Sequence, residues 1–372
     1  MRIAVVFGTR PELIKLAPII LEAKNRSAFI HVISTGQHRE MVSPLLDWFE
    51  VSVDFDLAVM KPKQTLSELS ENVLAGFDRI LQKEKYDYVF VQGDTTTAFI
   101  VALTAFYHKT NIVHVEAGLR TNNKYSPWPE EINRKLISVV ADYHFAPTTQ
   151  SALNLSNENI HSNVWVSGNT VIDALHYTVE KVGNQNIFPL ELSEYFTGNK
   201  KHIPIVLITG HRRENWGSGL KNICEAISKL ADRNKNITFV YPVHLNPNVR
   251  EDVFQYLSEI SNILLLPPLN YPHFVALMNR SYLILTDSGG IQEEGPGLGK
   301  PVLVMRDTTE RPEGVESGNV KLVGTNADTI IEKTQLLLDS LLEYNAMAEI
   351  RNPFGDGKAS RFILDVLMNH AN

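Results

Sequence analysis

Cysteine is nearly missing from this chain of 372 residues. Cys224 stands alone, so no internal disulfide can form and nothing points to an oxidising compartment. No His/Cys spacing suits zinc, so no metal is expected. Long apolar runs are also lacking: "IPIVLI" and "NILLLPPL" are strand-sized, and Ile3 to Phe7 is too short for a signal peptide. Charge of one sign is not in excess either. The net charge of −7 is spread without blocks, which argues against a nucleic-acid or anionic-membrane surface but leaves room for a local basic pocket. A Walker A pattern is absent, and "GPGLG" follows a helix rather than opening one, so it is no dinucleotide fingerprint. Neither a solenoid repeat nor a low-complexity tract is visible. A cytoplasmic, globular protein of about two domains is expected.

What is present is alternation. "RIAVVF", "FIHVIST", "YDYVFVQG" and "NIVHVEAG" are β-branched or aromatic-rich, bounded by Gly, Asp or Asn, and predict strands. Between them "PELIKLAPIILEAKNR" and "TLSELSENVLAGFDRILQKEK" repeat apolar residues at helical spacing. The pattern weakens across the polar stretch 183–202. It restarts with "IPIVLITG", "NITFVYPV", "NILLLPP", "SYLILTDSGG" and "PVLVMR". Two α/β domains with doubly wound parallel sheets are predicted, 1–170 and 171–358, followed by an amphipathic helix over 359–372.

In open parallel sheets, ligands sit beyond the carboxyl ends of the strands. The unusual polar clusters fall there: Gly8-Thr9-Arg10, Gln92-Gly93-Asp94, Glu116-Ala117-Gly118, Gly210-His211-Arg212 and Asp287-Ser288-Gly289. One large site served by two facing domains is the expectation. In "VFGTRPELIK" an Arg stands at a strand–helix seam, which is either a solvated turn with Pro at the first helical position or an anion site at a helix N-terminus.

"TDSGGIQEEGPGLGKPVLV" is the most informative stretch. Ser288, Gly289 and Gly290 open a helix whose free N–H groups suit a phosphate, and Glu293 or Glu294 could accept two ribose hydroxyls. The plain alternative is a Gly-rich turn with solvated glutamates. In "LITGHRRENWGSG", His211, Arg212 and Arg213 follow a strand, where cations could neutralise a diphosphate leaving group. "DFD" at 54–56 resembles a metal-binding pair, but no further carboxylate supports it and it is structural. The first domain supplies acids: Asp94, Glu116 and the pair Glu130-Glu131. A helix N-cap rivals the functional reading for Asp94, and first-turn acid enrichment rivals it for the pair.

Taken together, "FGTRPE", "QGDTTT", "VEAGLR", "PWPEEINR", "GHRREN", "DSGGIQEE" and "TTERPE" resemble the non-hydrolysing UDP-N-acetylglucosamine 2-epimerases, from residue 3 to beyond 313. The resemblance implies a GT-B arrangement: two Rossmann-like domains facing across a cleft, with a final helix returning to the first. It implies interconversion of UDP-N-acetylglucosamine (UDP-GlcNAc) and UDP-N-acetylmannosamine (UDP-ManNAc) without a cofactor, homodimers as the family habit, and no nucleic-acid or membrane partner. Carbon 2 of this sugar carries no acidic proton, so simple deprotonation is excluded. The implied route is anti elimination of UDP to 2-acetamidoglucal, then re-addition with a proton delivered to the opposite face. That asks for cations at the diphosphate and acid/base groups on both ring faces, with a raised pKa for whichever acid delivers the proton.

By the resemblance, Asp94, Glu116, Glu130 and His211 are catalytic. Arg10, Lys15, Arg134, Arg212, Phe274, Ser288, Gly289, Gly290, Glu294 and Arg311 contact substrate, Lys15 being the weaker choice beside Arg10 because it lies further along the helix. Many bacterial members also bind a second UDP-GlcNAc as effector. Residues matching that pocket are Gln37, His38, Arg212 and His244, but Glu40 stands where Gln is usual and Asn72 where Arg is usual. Rival readings are a GT-B glycosyltransferase, which has no use for acids on both faces, a hydrolysing epimerase releasing free sugar, and a non-catalytic nucleotide-sugar sensor.

Overall fold

The computed structural model describes residues 1–37, 39–61 and 63–370. Its chain divides into two compact units, Met1–Ala174 with Phe354–Asn372, and Leu175–Pro353. The crossings fall at 174/175 and 353/354, a few residues from the sequence-based boundaries. The first five residues of helix Thr170–Gln185 pack with the first unit, and Asn169 N–H donates to Phe354 O at 2.7 Å there.

The first unit is built on seven parallel strands: β1 (Arg2–Phe7), β2 (Phe29–Ser34), β3 (Phe55–Asp56), β4 (Tyr88–Gln92), β5 (Asn111–Val115), β6 (Tyr143–Ala146) and β7 (Val164–Val166). Their order is β3-β2-β1-β4-β5-β6-β7. β1 is central, with Ile3 in register with Ile30 on one side and Tyr88 on the other, and is buried from Ile3 to Phe7. That is why it reads as a continuous apolar run rather than an alternation. The helices are α1 (Arg10–Asn25), α2 (Arg39–Phe49), α3 (Leu66–Lys83), α4 (Thr96–Tyr107), α5 (Glu130–Val140), α6 (Thr149–Asn157) and α7 (Thr170–Gln185). α3 shows the local logic. Thr65 and Glu68 form a reciprocal capping box, and Leu69, Val73, Phe77 and Ile80 bury one stripe against the sheet.

Helix Ala359–His370 belongs to this unit. The Asp173 carboxylate accepts Ser360 N–H at 2.8 Å and Ala359 N–H at 3.2 Å, Arg26 pairs with Asp365 at 2.6 Å, and Ile363, Leu364 and Leu367 are buried. "DFD" serves the framework: Asp54 accepts Val32 N–H at 2.7 Å and Asp56 accepts Ala58 N–H at 3.0 Å.

The second unit has six parallel strands: β8 (Ile205–Thr209), β9 (Thr238–Pro242), β10 (Ile263–Leu266), β11 (Leu283–Thr286), β12 (Val302–Val304) and β13 (Val320–Leu322). They are ordered β10-β9-β8-β11-β12-β13. In each unit the winding reverses at one place, β1/β4 in the first and β8/β11 in the second. Such a switch point opens a crevice at the strands' carboxyl ends. No helix among the described residues is long and apolar enough to cross a membrane.

Candidate active site

Two acids meet at the first switch point. Glu116 follows β5 in a left-handed conformation, φ +64°, which a non-glycine residue adopts only when its surroundings impose it. Its carboxylate, 4% exposed, takes Lys15 Nζ at 2.6 and 2.7 Å, the Gln92 side-chain amide, and Asn169 Nδ2 at 3.0 Å. An ammonium and two amides facing one carboxylate suit its ionised form. Asp94 follows β4 across the turn at Gly93, whose φ of +68° needs no side chain. It pairs with the Arg134 guanidinium, and Asn133 Nδ2 donates to its carbonyl at 3.0 Å. Burial raises the Asp94 pKa; Arg134 opposes this and the nearby Glu116 charge adds to it. Burial and the Glu116 charge thus favour the protonated form of Asp94, whereas the donors around Glu116 favour its ionised form.

The N-cap of α4 is Thr95, whose hydroxyl accepts Ala98 N–H at 3.0 Å, so Asp94 is free of that structural duty. The Glu130-Glu131 pair separates. Glu131 is 1% exposed and accepts Thr121 and Asn122 N–H, both at 3.0 Å, which fixes the preceding loop. Glu130 makes no hydrogen bond or ion pair among the described residues and lies one turn before Arg134 on the same helical face.

The seam at Gly8-Thr9-Arg10 corrects an expectation. The N–H groups of Gly8 and Thr9 are already taken, at 3.1 and 2.8 Å, by the Glu12 carboxylate, which also receives the Thr9 and Thr95 hydroxyls at 2.7 Å each. The chain's own anion fills the α1 terminus. Burial pushes the Glu12 pKa up while these four donors hold it down. Arg10 is half-buried. Lys15, set behind Arg10 by the sequence argument, is the residue that reaches Glu116. Gln37 lies over this seam and its Oε1 accepts the Thr97 hydroxyl at 3.2 Å; His38 lies outside the described residues.

At the second switch point Asp287 organises the cluster. Its Oδ2 accepts the N–H groups of His211 and Arg212 at 2.8 Å each, and Asn215 Nδ2 at 3.3 Å. Its Oδ1 stands 3.4 Å from His211 Nδ1. The His211 ring stacks on His244, centroids 5.6 Å apart, and burial lowers its pKa against the pull of Asp287. Ser288 and Gly289 lead into Gly290, the N-cap of helix Ile291–Gly297. A Cβ at Gly289 would lie 3.5 Å from an Arg212 guanidinium nitrogen, so backbone N–H groups and a cation share one patch.

The two glutamates of that helix divide their work. Glu293 is buried on the Arg311 guanidinium, whereas Glu294 is half-buried and 4.0 Å from where a Gly290 Cβ would stand. Arg311, expected on substrate, is tied to Glu293. Phe274 sits in the first turn of helix Tyr271–Arg280 and is half-buried. Glu12, Gln92, Asn169 and Asp287 carry no role in the sequence argument. Gln92 and Asp287 gave a signal by standing at a strand end, and Glu12 by its capping-box spacing from Thr9. No cluster of His, Cys, Asp and Glu fit for a metal occurs among the described residues.

Two all-parallel α/β units, each with a polar cluster at its switch point, define a two-domain fold of GT-B type. A family model described as UDP-N-acetylglucosamine 2-epimerase matches residues 21–368. The UDP-N-acetylglucosamine 2-epimerase of Campylobacter jejuni is 49% identical, covering 100% of this chain and 98% of that one. A crystal structure of UDP-GlcNAc 2-epimerase from Neisseria meningitidis bound to UDP-GlcNAc matches with TM-score 0.88 and 49% identity, over 99% of this chain and 100% of that one. The enzyme from Methanocaldococcus jannaschii matches with TM-score 0.85 and 32% identity, over 99% and 100%. The chain belongs to the UDP-N-acetylglucosamine 2-epimerase family.

Proposed function

We propose that the protein interconverts UDP-GlcNAc and UDP-ManNAc without hydrolysis, by anti elimination of UDP and re-addition to the glucal. The observation that carries this reading is the pair at the first switch point, Asp94 with its raised pKa beside the donor-saturated Glu116. One group is suited to hold a proton and its neighbour to accept one. Glu130, exposed to partners on the same helical face as Arg134, is the third acid/base group. The second unit takes the nucleotide. Glu294 accepts the ribose hydroxyls, Gly289 and Gly290 offer N–H groups to the diphosphate, Ser288, whose N–H is held by Thr286 Oγ1 at 3.0 Å, offers its hydroxyl, and His211, Arg212 and Arg10 stabilise UDP as it leaves. The product would feed transferases that add N-acetylmannosamine to surface polysaccharide, from a cytoplasmic homodimer.

Turnover of UDP-GlcNAc in deuterated water tests this. UDP-ManNAc with deuterium at carbon 2 is expected. Free N-acetylmannosamine with UDP would place the protein in the hydrolysing branch, and no reaction without an acceptor would favour a glycosyltransferase.

Effector control is proposed to be weak. Glu40 and Asn72 lower the positive potential beside a second nucleotide sugar at Gln37, His38, Arg212 and His244. One lost charge-assisted contact is worth about 1.5–3 kcal/mol, roughly a ten- to hundredfold loss of affinity. Pure UDP-ManNAc should therefore react without a lag, or be activated only by high UDP-GlcNAc. Sharp activation by traces would refute the proposal.

A further inference from the structure

Asn169 stands between β7 and α7 and is 3% exposed. Besides its carbonyl, which accepts Ile172 N–H at 3.0 Å, three groups of this one residue are engaged. Its backbone N–H donates to Phe354 O at 2.7 Å, its Oδ1 accepts Val171 N–H at 3.1 Å, and its Nδ2 donates to Glu116 Oε1 at 3.0 Å. The chain leaves the first unit five residues later, after Ala174, and returns to it at Phe354. The two passages touch beside Asn169: a Cβ on Gly168, φ +83°, would lie 3.1 Å from Gly355 Cα.

Framework duties do not account for asparagine here. Any residue but proline supplies the backbone bond, and Ser, Thr or Asp would accept the N–H at a helix start as well. A side-chain amide accepts from the helix and donates to a carboxylate at once, and reaches further than the hydroxyl of Ser or Thr, which can also do both. The donor half reaches the acid.

We propose that Asn169 is a positioning residue for the epimerisation: its amide holds the Glu116 carboxylate and ties that acid to the two strands of chain that pass between the units. The inference rests on the proposed role of Glu116. The groups facing that carboxylate are Lys15 from α1, Gln92 from β4, Asp94 after β4 with Arg134 upon it, and His114 from β5, which burial keeps neutral. With Lys15 the nearest cation, removal of one donor leaves Glu116 easier to protonate.

Asn169→Asp isolates the contact, because it keeps the helix acceptor and the backbone bond while turning the donor into a second acid. We expect kcat to fall about a hundredfold, as for a misplaced reacting group. The UDP dissociation constant should stay within about twofold, since the nucleotide site is untouched, while the melting temperature should fall at neutral pH and recover as the pH drops and the new carboxyl takes up a proton. The acidic limb of the kcat profile should move to higher pH, because two neighbouring carboxylates resist double ionisation. Asn169→Ser still caps but is too short to reach Glu116, and should show a smaller loss and a smaller shift in the same direction.

Wild-type kcat and pH profile in Asn169→Asp would overturn the proposal. So would a loss of kcat that follows a lowered melting temperature with the pH profile unmoved. Should the Asp variant not fold, the same two outcomes in Asn169→Ser decide the matter. Wild-type turnover tests the epimerase reading separately. A carboxyl-carbon NMR titration of Glu116 in wild type and variant reads the upward shift without turnover, so failure of one reading is not mistaken for failure of the other.

Discussion

The two units share a plan and use opposite chemistry. Each carries its polar cluster where the winding reverses, and each anchors the turn before it with a buried side chain from a neighbouring strand. His114 Nε2 meets Gly93 O at 2.8 Å ahead of Asp94, and the Tyr241 hydroxyl donates to Gly210 O at 3.1 Å ahead of His211. In the first unit the functional groups are acids already matched by donors: Glu116 by Lys15, Gln92 and Asn169, Asp94 by Arg134. In the second, the buried Asp287 is consumed in shaping the backbone, and Arg212 Nε and Trp216 Nε1 are buried without a hydrogen-bond partner, as Arg134 Nε is in the first. Spare donors favour an anionic ligand, whereas matched acids hold their geometry before any ligand arrives.

That contrast can be broken most severely at Glu116. Glu116→Gln removes the ionisable group and keeps the shape. Epimerisation should fall by roughly a thousandfold, within the range for a lost general acid or base. UDP affinity by calorimetry should be unchanged, and a comparable loss in both would show that the two halves do not divide the labour.

A smaller effect is expected in the second unit. Glu294→Ala should weaken nucleotide binding by about 1–3 kcal/mol through unpaired hydroxyls. The loss should be equal for UDP and UDP-GlcNAc, since the sugar is held elsewhere. Weakening confined to the nucleotide sugar would move the ribose contact to another residue.

The smallest effect concerns stability. His114 and His144 lie in register on β5 and β6, and burial pushes their pKa values down to about 3 and about 4. A base whose folded pKa is depressed binds its proton in the unfolded chain first. Stability therefore falls as pH drops below the unfolded value of about 6.5 towards the folded one. The strands of the second unit contain no histidine. His144→Leu should flatten the loss of urea midpoint between pH 7 and pH 5 in the first unit's transition and leave the second unit's alone. An unchanged slope would mean that His144 is not held neutral in the fold.

Much of this was legible before any coordinates. Strands with four or more apolar or β-branched residues, such as "RIAVVF" and "IPIVLITG", announce themselves because a parallel strand is buried on both faces. β3, β6, β7 and β13 span two to four residues and offer no period to detect. Asp94, Glu116 and His211 were found because each stands at the end of a detectable strand. Asn169 was not, since its partner Glu116 lies far along the chain, and of the donors on Glu12 only Thr95 is distant, Gly8 and Thr9 forming a local cap.

By itself, the order of residues determined the class of fold, the placement of acids in the first unit and cations in the second, and the family. Those follow from local patterning and from motifs that survive in one dimension. Tertiary structure decided which charges are engaged. Glu12 takes the Gly8 and Thr9 N–H groups at the α1 terminus, Lys15 meets Glu116, and Glu293 is buried on Arg311. The reason is physical: a carboxylate's role depends on the donors within about 3 Å of it, and Lys15 and Asn169, which meet on Glu116, come from opposite ends of the first unit's sequence.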